Sequence, residues 1–167
     1  MSLIVLVGPM GAGKTTVGQL LAKKLKLPFL DTDATIEQRT GADIPWIFDV
    51  EGEEGFRDRE SQALADLLAL PSGVIATGGG IVMRAANLEL LKQHHVVYLK
   101  TSLAEQIKRT NNDRKRPLLQ TGRRESVLAE LMAIRDPLYQ SVATQIVETD
   151  GANSRNIAGK LAQQFDS

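Results

Sequence analysis

The chain has 167 residues, enough for one domain with a sizeable buried core. A hydrophobic fraction of 43% with 24% charged residues excludes a disordered or fibrous chain, and zero formal net charge gives no bulk attraction to nucleic acid or an anionic membrane. With no cysteine, disulfides and thiolate metal sites are excluded, and a reducing cytoplasm is the expected location.

The first apolar run, Leu3 to Val7, is short and lacks a basic leader, so it reads as a strand rather than a signal peptide. No run approaches the length that crosses a bilayer. Directly after it, Gly8-Pro9-Met10-Gly11-Ala12-Gly13-Lys14-Thr15 fills the G-x-x-x-x-G-K-[ST] pattern of a phosphate-binding loop. Glycines let the backbone curl so that successive N–H groups, from Gly11 to Thr16, face phosphate oxygens at a helix N-terminus. Lys14 would reach the β- and γ-phosphates and the Thr15 hydroxyl would hold Mg²⁺. The pattern points to a nucleoside triphosphate.

Val17, Leu20, Leu21 and Leu25 then form one helix face, with Lys23, Lys24 and Lys26 off it. Pro28–Leu30 is the second strand, followed at once by Asp31 and Asp33. In an open parallel sheet ligands sit beyond the carboxyl ends of strands, so both carboxylates should face the phosphates. One could sit near Mg²⁺ through water while the other accepts a proton from an acceptor hydroxyl; Asp33 also fits as a cap for the following helix. Asp49-Val50-Glu51-Gly52 matches the D-x-x-G of GTPases but follows no strand, and no N-K-x-D accompanies it. Phe56, Ala63, Leu64, Leu67 and Leu68 make a further helix face, on which Glu60 can orient Arg57; alone, that pair is ordinary surface chemistry.

Val74–Ala76 is the third strand, and Thr77-Gly78-Gly79-Gly80 ends it. Three glycines carry a large chain-entropy cost, for which close backbone approach to a ligand is the natural reason. His94 and His95 are expected at a helix end, with no second ligand cluster to make them a metal site. Val96–Leu99 is the fourth strand, and Ser102-x-x-Glu105 is a capping box that starts the next helix.

Residues 109–124 hold Arg109, Arg114, Lys115, Arg116, Arg123 and Arg124. In a phosphate-loop protein such a cluster can be a mobile lid that brings cations to the transferred phosphate. With 4% aromatic residues it is a poor nucleic-acid groove. Pro137 interrupts a helical run from Ser126 to Ala143; Asp136 could cap a new helix with Pro137 at its first position, so a kink or a restart is expected there, with Arg135 projecting from the break. Gln145–Val147 is the last strand, and Asn153 or Ser154 can cap a final helix carrying Ile157, Leu161 and Phe165. Strands alternating with helices, and strands apolar on both faces, imply an α/β fold with a covered parallel sheet.

Together these blocks resemble the shikimate kinase family over essentially the whole chain. The carriers are the Gly8–Thr15 loop, Asp31-Thr32-Asp33, Phe56-Arg57-x-x-Glu60, Gly78-Gly79-Gly80, Arg116-Pro117-Leu118-Leu119 and Arg135-x-Pro137-x-Tyr139, in family order and spacing. The resemblance implies a five-stranded parallel sheet in order 2-3-1-4-5, as in nucleoside monophosphate kinases, forming a single domain over residues 1–167. It implies an acceptor-binding helical region at about 33–62 and a lid at about 109–124. It also implies transfer of the ATP γ-phosphate to the 3-hydroxyl of shikimate, with Mg²⁺ near Thr15 and Asp31. By the same likeness Asp33, Arg57, Gly79, Gly80 and Arg135 would hold the acceptor, and Asp33 would act catalytically with Lys14 and Arg116. Arg109 and the segment from Asn153 to Arg155 would lie against adenine. A cytoplasmic monomer without nucleic-acid or membrane partners is expected.

Gluconate kinase is the nearest alternative, since its acceptor is also a polyhydroxy acid; Arg57, the triple glycine and Arg135 favour shikimate. Nucleoside monophosphate kinases fit the acceptor-side motifs less well. A non-catalytic ATP-binding regulator is an alternative of another class, against which Lys14, Thr15, Asp33 and the arginines of 109–124 argue.

Overall fold

The computed structural model describes residues 3–110 and 124–165. Five strands, β1 (Leu3–Val7), β2 (Phe29–Asp31), β3 (Gly73–Ala76), β4 (His95–Lys100) and β5 (Gln145–Glu148), form one sheet in the order β2-β3-β1-β4-β5. Every pairing is parallel. The connections carry α1 (Lys14–Leu25), α2 (Thr32–Thr40), α3 (Ile44–Leu68), α4 (Ala85–Leu91), α5 (Leu103–Arg109) and α6 (Arg124–Val142); α7 (Ser154–Phe165) follows the last strand. The topology and the covered sheet are those expected from sequence.

Side chains on a strand point alternately to its two faces, and β1 divides accordingly. Ile4 and Leu6 pack with Val17 and Leu21 of α1 and with Ile157 and Leu161 of α7. Val5 and Val7 pack the other way, with Leu64 and Leu67 of α3, Leu91 of α4 and Tyr139 of α6. A third cluster, Ile36, Ile44, Ile47, Phe56 and Ala63, holds α2 against α3. Both faces are therefore roofed by helices, and the strand ends that follow Val7, Asp31 and Ala76 meet at one edge.

Three local expectations are corrected. The second strand runs Phe29–Asp31, one residue later than its apolar run, because Asp31 pairs with Ala76 while Pro28 offers its carbonyl to Val74 N–H from outside the strand. α6 passes through Pro137 without restarting. A proline inside a helix costs about 3 kcal/mol, but Leu128, Arg135, Tyr139 and Val142 are buried on both sides of it, and packing prevails. Pro137 and Ala133 are exposed, so the carbonyl left unpaired by the ring lies at the surface. Asp136 is not a cap: it accepts from the Tyr98 hydroxyl at 2.6 Å and from the Gln140 amide at 2.9 Å. Third, α4 ends at Leu91, so His94 lies in a turn and His95 in β4, where its Nε2 stands 2.9 Å from Gln145 Oε1.

Asp49-Val50-Glu51-Gly52 lies within α3, which breaks at Gly52 (φ 74°), a left-handed conformation natural only to glycine. Among the described residues no helix is long and apolar enough to cross a membrane, and no group of three metal-ligating side chains occurs.

Candidate active site

The glycine-rich segment links β1 to α1, with Gly11 (φ 83°) and Gly13 (φ 87°) left-handed and Gly13 at the N-cap of α1. Lys14 is buried, and its ammonium donates to the Gly8 carbonyl at 2.6 Å and the Pro9 carbonyl at 3.0 Å. Its charge is therefore held across the mouth of its own loop. Ala12 is buried beneath, and Thr15 and Thr16 are exposed at the start of α1.

Thr15 Oγ1 donates to Asp31 Oδ2 at 3.1 Å. The other carboxylate oxygen of Asp31 accepts from Asp33 N–H at 2.8 Å and Ala34 N–H at 3.1 Å. Asp31, not Asp33, therefore caps α2. Capping fixes the Asp31 carboxylate and turns its second oxygen toward Thr15. A hydroxyl and a carboxylate oxygen side by side are the hard donors that Mg²⁺ takes, so these residues fit that ion.

Lys14, Thr15, Thr16, Asp31, Asp33 and Arg109 share a cleft of about 320 Å³ with Gly11, Gly13 and the segment Thr77–Gly79. Residues expected at the phosphates and residues expected at the acceptor thus line one space. Arg57, Gly80 and Arg135 are not among its lining residues; the two guanidiniums lie close to Gly80 and Gly79.

The glycines explain how these residues come together. None of Gly78, Gly79 and Gly80 has a left-handed backbone, so what they supply is space. A Cβ on Gly78 would lie 2.9 Å from both Asp33 Oδ1 and Glu60 Oε2. On Gly80 it would lie 2.5 Å from both terminal nitrogens of Arg57, and on Gly79 3.3 Å from Arg135 Nη1. The expected close approach is therefore first an approach of protein charges: two carboxylates and two guanidiniums gather round a backbone with no side chains.

Their electrostatics are mutually dependent. Arg57 and Glu60 are 6% and 0% exposed and form a 2.8 Å ion pair, so they are not the surface pair their spacing alone describes. Arg57 also reaches Glu53 at 3.4 Å and lies over the Phe56 ring at 5.2 Å. Burial raises the Glu60 carboxyl above its ordinary range, and Arg57 and then Arg135 pull it back. Burial likewise lowers the Arg135 guanidinium, opposed by the adjacent Tyr139 and Glu60 and reinforced by Arg57. Arg57 is engaged by Glu60 and Arg135 by the Tyr139 hydroxyl, and of the Arg135 nitrogens Nε alone is buried without a hydrogen-bond partner among the described residues.

On the opposite flank Arg109 Nη1 donates to the Gly11 carbonyl at 2.9 Å, and Glu105 lies 3.3 Å from Nη2. Asn153 caps α7 by accepting from Asn156 N–H at 2.8 Å, and Ser154 Oγ lies 3.7 Å from where a Gly13 Cβ would stand. Arg155 is exposed in the first turn. Arg109 and the start of α7 therefore border the loop together. Arg116, with residues 111–123 of the lid expected at about 109–124, lies outside the described residues.

Two participants carried no assigned role in the sequence. The Thr32 hydroxyl, buried at the start of α2, accepts from Gly78 N–H at 3.1 Å. Tyr139 donates to the Gly79 carbonyl at 2.5 Å. Its signal was its place four residues after Arg135, which puts both on one helix face.

A shikimate kinase family model matches residues 10–166. The chain is 56% identical over 165 residues to a shikimate kinase of Pseudomonas fluorescens, covering 96% of each. It is 53% identical over 161 residues to one of Marinomonas, covering 95% of this chain and 88% of that one. Among solved structures, the shikimate kinase from Acinetobacter baumannii in complex with shikimate superposes with a TM-score of 0.96 at 51% identity, over 99% of this chain and 93% of that one. The Aquifex aeolicus shikimate kinase gives 0.84 at 30% identity, over 98% and 96%.

Proposed function

Because the chain belongs to the shikimate kinase family and phosphorylates shikimate with ATP to give shikimate 3-phosphate, we propose that its cleft divides into an ATP side and an acceptor side meeting at Asp33. On the first side the loop amides from Gly11 to Thr16 and the Lys14 ammonium hold the β- and γ-phosphates, with Arg109 and Arg155 toward adenine. Thr15 and Asp31 would hold Mg²⁺, which when bound neutralises charge building on the phosphate oxygens. On the second, Arg57 and Arg135 hold the carboxylate of shikimate, and Gly79 and Gly80 present their backbone to its ring. Arg116 adds a cation from the lid.

Transfer then forms a bond from the shikimate 3-oxygen to the γ-phosphorus and breaks the bond to the β–γ bridging oxygen. The hydroxyl proton passes to Asp33 and ADP leaves. Catalysis of this kind is mostly positioning and electrostatic stabilisation, which buried fixed charges supply without reorganising.

The observation that carries this reading is the packing of Arg57 and Arg135 against Gly80 and Gly79, at the wall of the cleft that contains Lys14 and Asp33. Two guanidiniums beside a carboxylate suit an acceptor with one carboxylate and several hydroxyls. The test is ADP release coupled to a panel of shikimate, gluconate and nucleoside monophosphates, with and without Mg²⁺. Shikimate alone should support turnover, and only with the metal; equal turnover of gluconate would overturn the acceptor assignment.

The same reading takes residues 1–167 as one kinase domain, with an acceptor region at about 33–62 and a lid at about 109–124, working as a cytoplasmic monomer. The absence of cysteine and the neutral formal charge support that location and the lack of nucleic-acid partners.

A further inference from the structure

We infer that Tyr139 is a positioning residue for the acceptor: its hydroxyl, bonded to the Gly79 carbonyl, sets the glycine turn against which Arg57 and Arg135 stand. This rests on the reading that the turn and the two arginines receive shikimate.

Gly78–Gly80 has no side chain with which to hold its own conformation, and glycine backbone is the most expensive to order. Its order comes from outside. Thr32 takes the Gly78 N–H, Ile81 and Met83 donate to the Gly78 and Gly80 carbonyls, and Tyr139 donates to the middle carbonyl at 2.5 Å. A peptide unit is planar, so fixing the Gly79 C=O also fixes the direction of the Gly80 N–H. The same unit lies between the two guanidiniums, with Arg135 close over Gly79 and Arg57 closer still over Gly80. Rotating it would disturb both.

Tyr139 is itself held firmly. It is fully buried, and its ring packs on Tyr98 with centroids 4.9 Å apart. The Tyr98 hydroxyl in turn donates to Asp136, the residue after Arg135. The helix that carries Arg135 thus reaches the glycine turn through one tyrosine and is braced by the other. Burial pushes the Tyr139 phenol up to about 12, so it remains a donor throughout the working pH range. A tyrosine serving only as core filler would be replaced by phenylalanine with a loss of stability and nothing else.

Tyr139→Phe keeps the ring and removes the donor. The substitution removes the bond to the Gly79 carbonyl and the contact of the same hydroxyl with Arg135, and about 1.4 kcal/mol corresponds to a tenfold change. The KM for shikimate should therefore rise about tenfold, with kcat and the KM for ATP within about twofold of wild type. An unchanged shikimate KM, or a uniform loss that follows the melting temperature, overturns the inference. Arg135→Ala is run beside it. If Arg135→Ala uses shikimate normally, the reading of the pocket fails; if it loses shikimate while Tyr139→Phe does not, only the role of Tyr139 fails.

A second measurement does not depend on how well that variant folds. The chain has two tyrosines, so 3-fluorotyrosine gives two fluorine resonances, assigned with Tyr98→Phe. The Tyr139 resonance should move on titration with shikimate and stay in place with Mg·ATP alone. A Tyr139 resonance indifferent to shikimate overturns the inference.

Discussion

The two sides of the cleft are built in opposite ways. The loop we assign to the phosphates is eight consecutive residues, and in that reading all but Lys14 and Thr15 act through their backbone. The pocket we assign to the acceptor is assembled from α2, α3, the turn after β3 and α6, and its charges are buried and compensate one another. A backbone site is carried by the chain's path, so most side-chain changes leave it standing. A site of mutually dependent charges can be broken from any corner, because removing one ion leaves its partner buried and unpaired.

Lys14→Ala separates the two sides most sharply. The Lys14 ammonium bonds to the carbonyls of its own loop, so its loss should leave the fold and the acceptor pocket intact. It should nevertheless lower kcat by on the order of 10³-fold, the upper range for removing one preorganised charge or donor. The check is steady-state kinetics with shikimate binding by calorimetry; kcat within about tenfold of wild type, or ~1.4 kcal/mol, would contradict the phosphate-loop role.

Arg57→Ala and Arg135→Ala probe the other side. Each should weaken shikimate binding by roughly 2–5 kcal/mol, the scale for truncating one partner of a desolvated ion pair, with ATP affinity nearly unchanged. Arg57→Ala should also lower the melting temperature more than Lys14→Ala does, since Glu60 is left without its nearest cation. Calorimetry showing ordinary shikimate binding in both variants would remove the arginines from the acceptor site.

The same contrast decides what the sequence made legible. The turn from β1 into α1 was readable because its residues are neighbours and its pattern encodes a backbone path. The strands were readable because β1, β3 and β4 are apolar on both faces. Taken alone Arg57 read as a surface pair, because i,i+3 spacing carries no information about burial, and only the resemblance of the whole set of motifs assigned it to the acceptor. The triple glycine read as a close approach to a ligand, whereas the groups seen against it are protein charges brought there by α2, α3 and α6 converging in space. Pro137 misled because the local rule against proline in a helix was outweighed by tertiary packing. For the cap of α2 the sequence pointed only to Asp33, and the bonds from Asp33 N–H and Ala34 N–H to one Asp31 oxygen resolve it as Asp31.

That resolution sharpens Asp33→Asn. Since Asp31 caps α2, the substitution at 33 disturbs no cap and keeps nearly the same volume. A positioned base contributes about 10²–10⁴-fold, and a loose phosphoryl-transfer transition state with little deprotonation favours the lower end, about 10² in kcat. The melting curve should stay close to wild type and ATP binding should persist. A stable variant with wild-type kcat and KM for shikimate would take Asp33 out of the mechanism.

The smallest expected effect is on the pH dependence of stability, and it tests whether Glu60 and Arg57 act as one unit. Burial holds the Glu60 carboxyl above its ordinary 4.5, while Arg57 and then Arg135 oppose that rise. An acid raised on folding binds its proton more tightly in the native state. Its stabilising contribution is therefore complete below pH 4.5 and declines as pH climbs through the native value. Removing the Arg57 cation takes away the largest opposing influence, so the Glu60 value should rise further and the decline should deepen. Between about pH 5 and 7.5 the melting temperature of Arg57→Ala should thus fall more steeply than that of wild type. Adding Glu60→Gln to Arg57→Ala removes the titrating group and should flatten the profile while recovering part of the lost stability, because a neutral amide needs no buried counter-charge. If Arg57→Ala merely lowers the wild-type curve by a constant amount at every pH, the two residues are not electrostatically coupled, and the acceptor pocket is as tolerant as the phosphate loop.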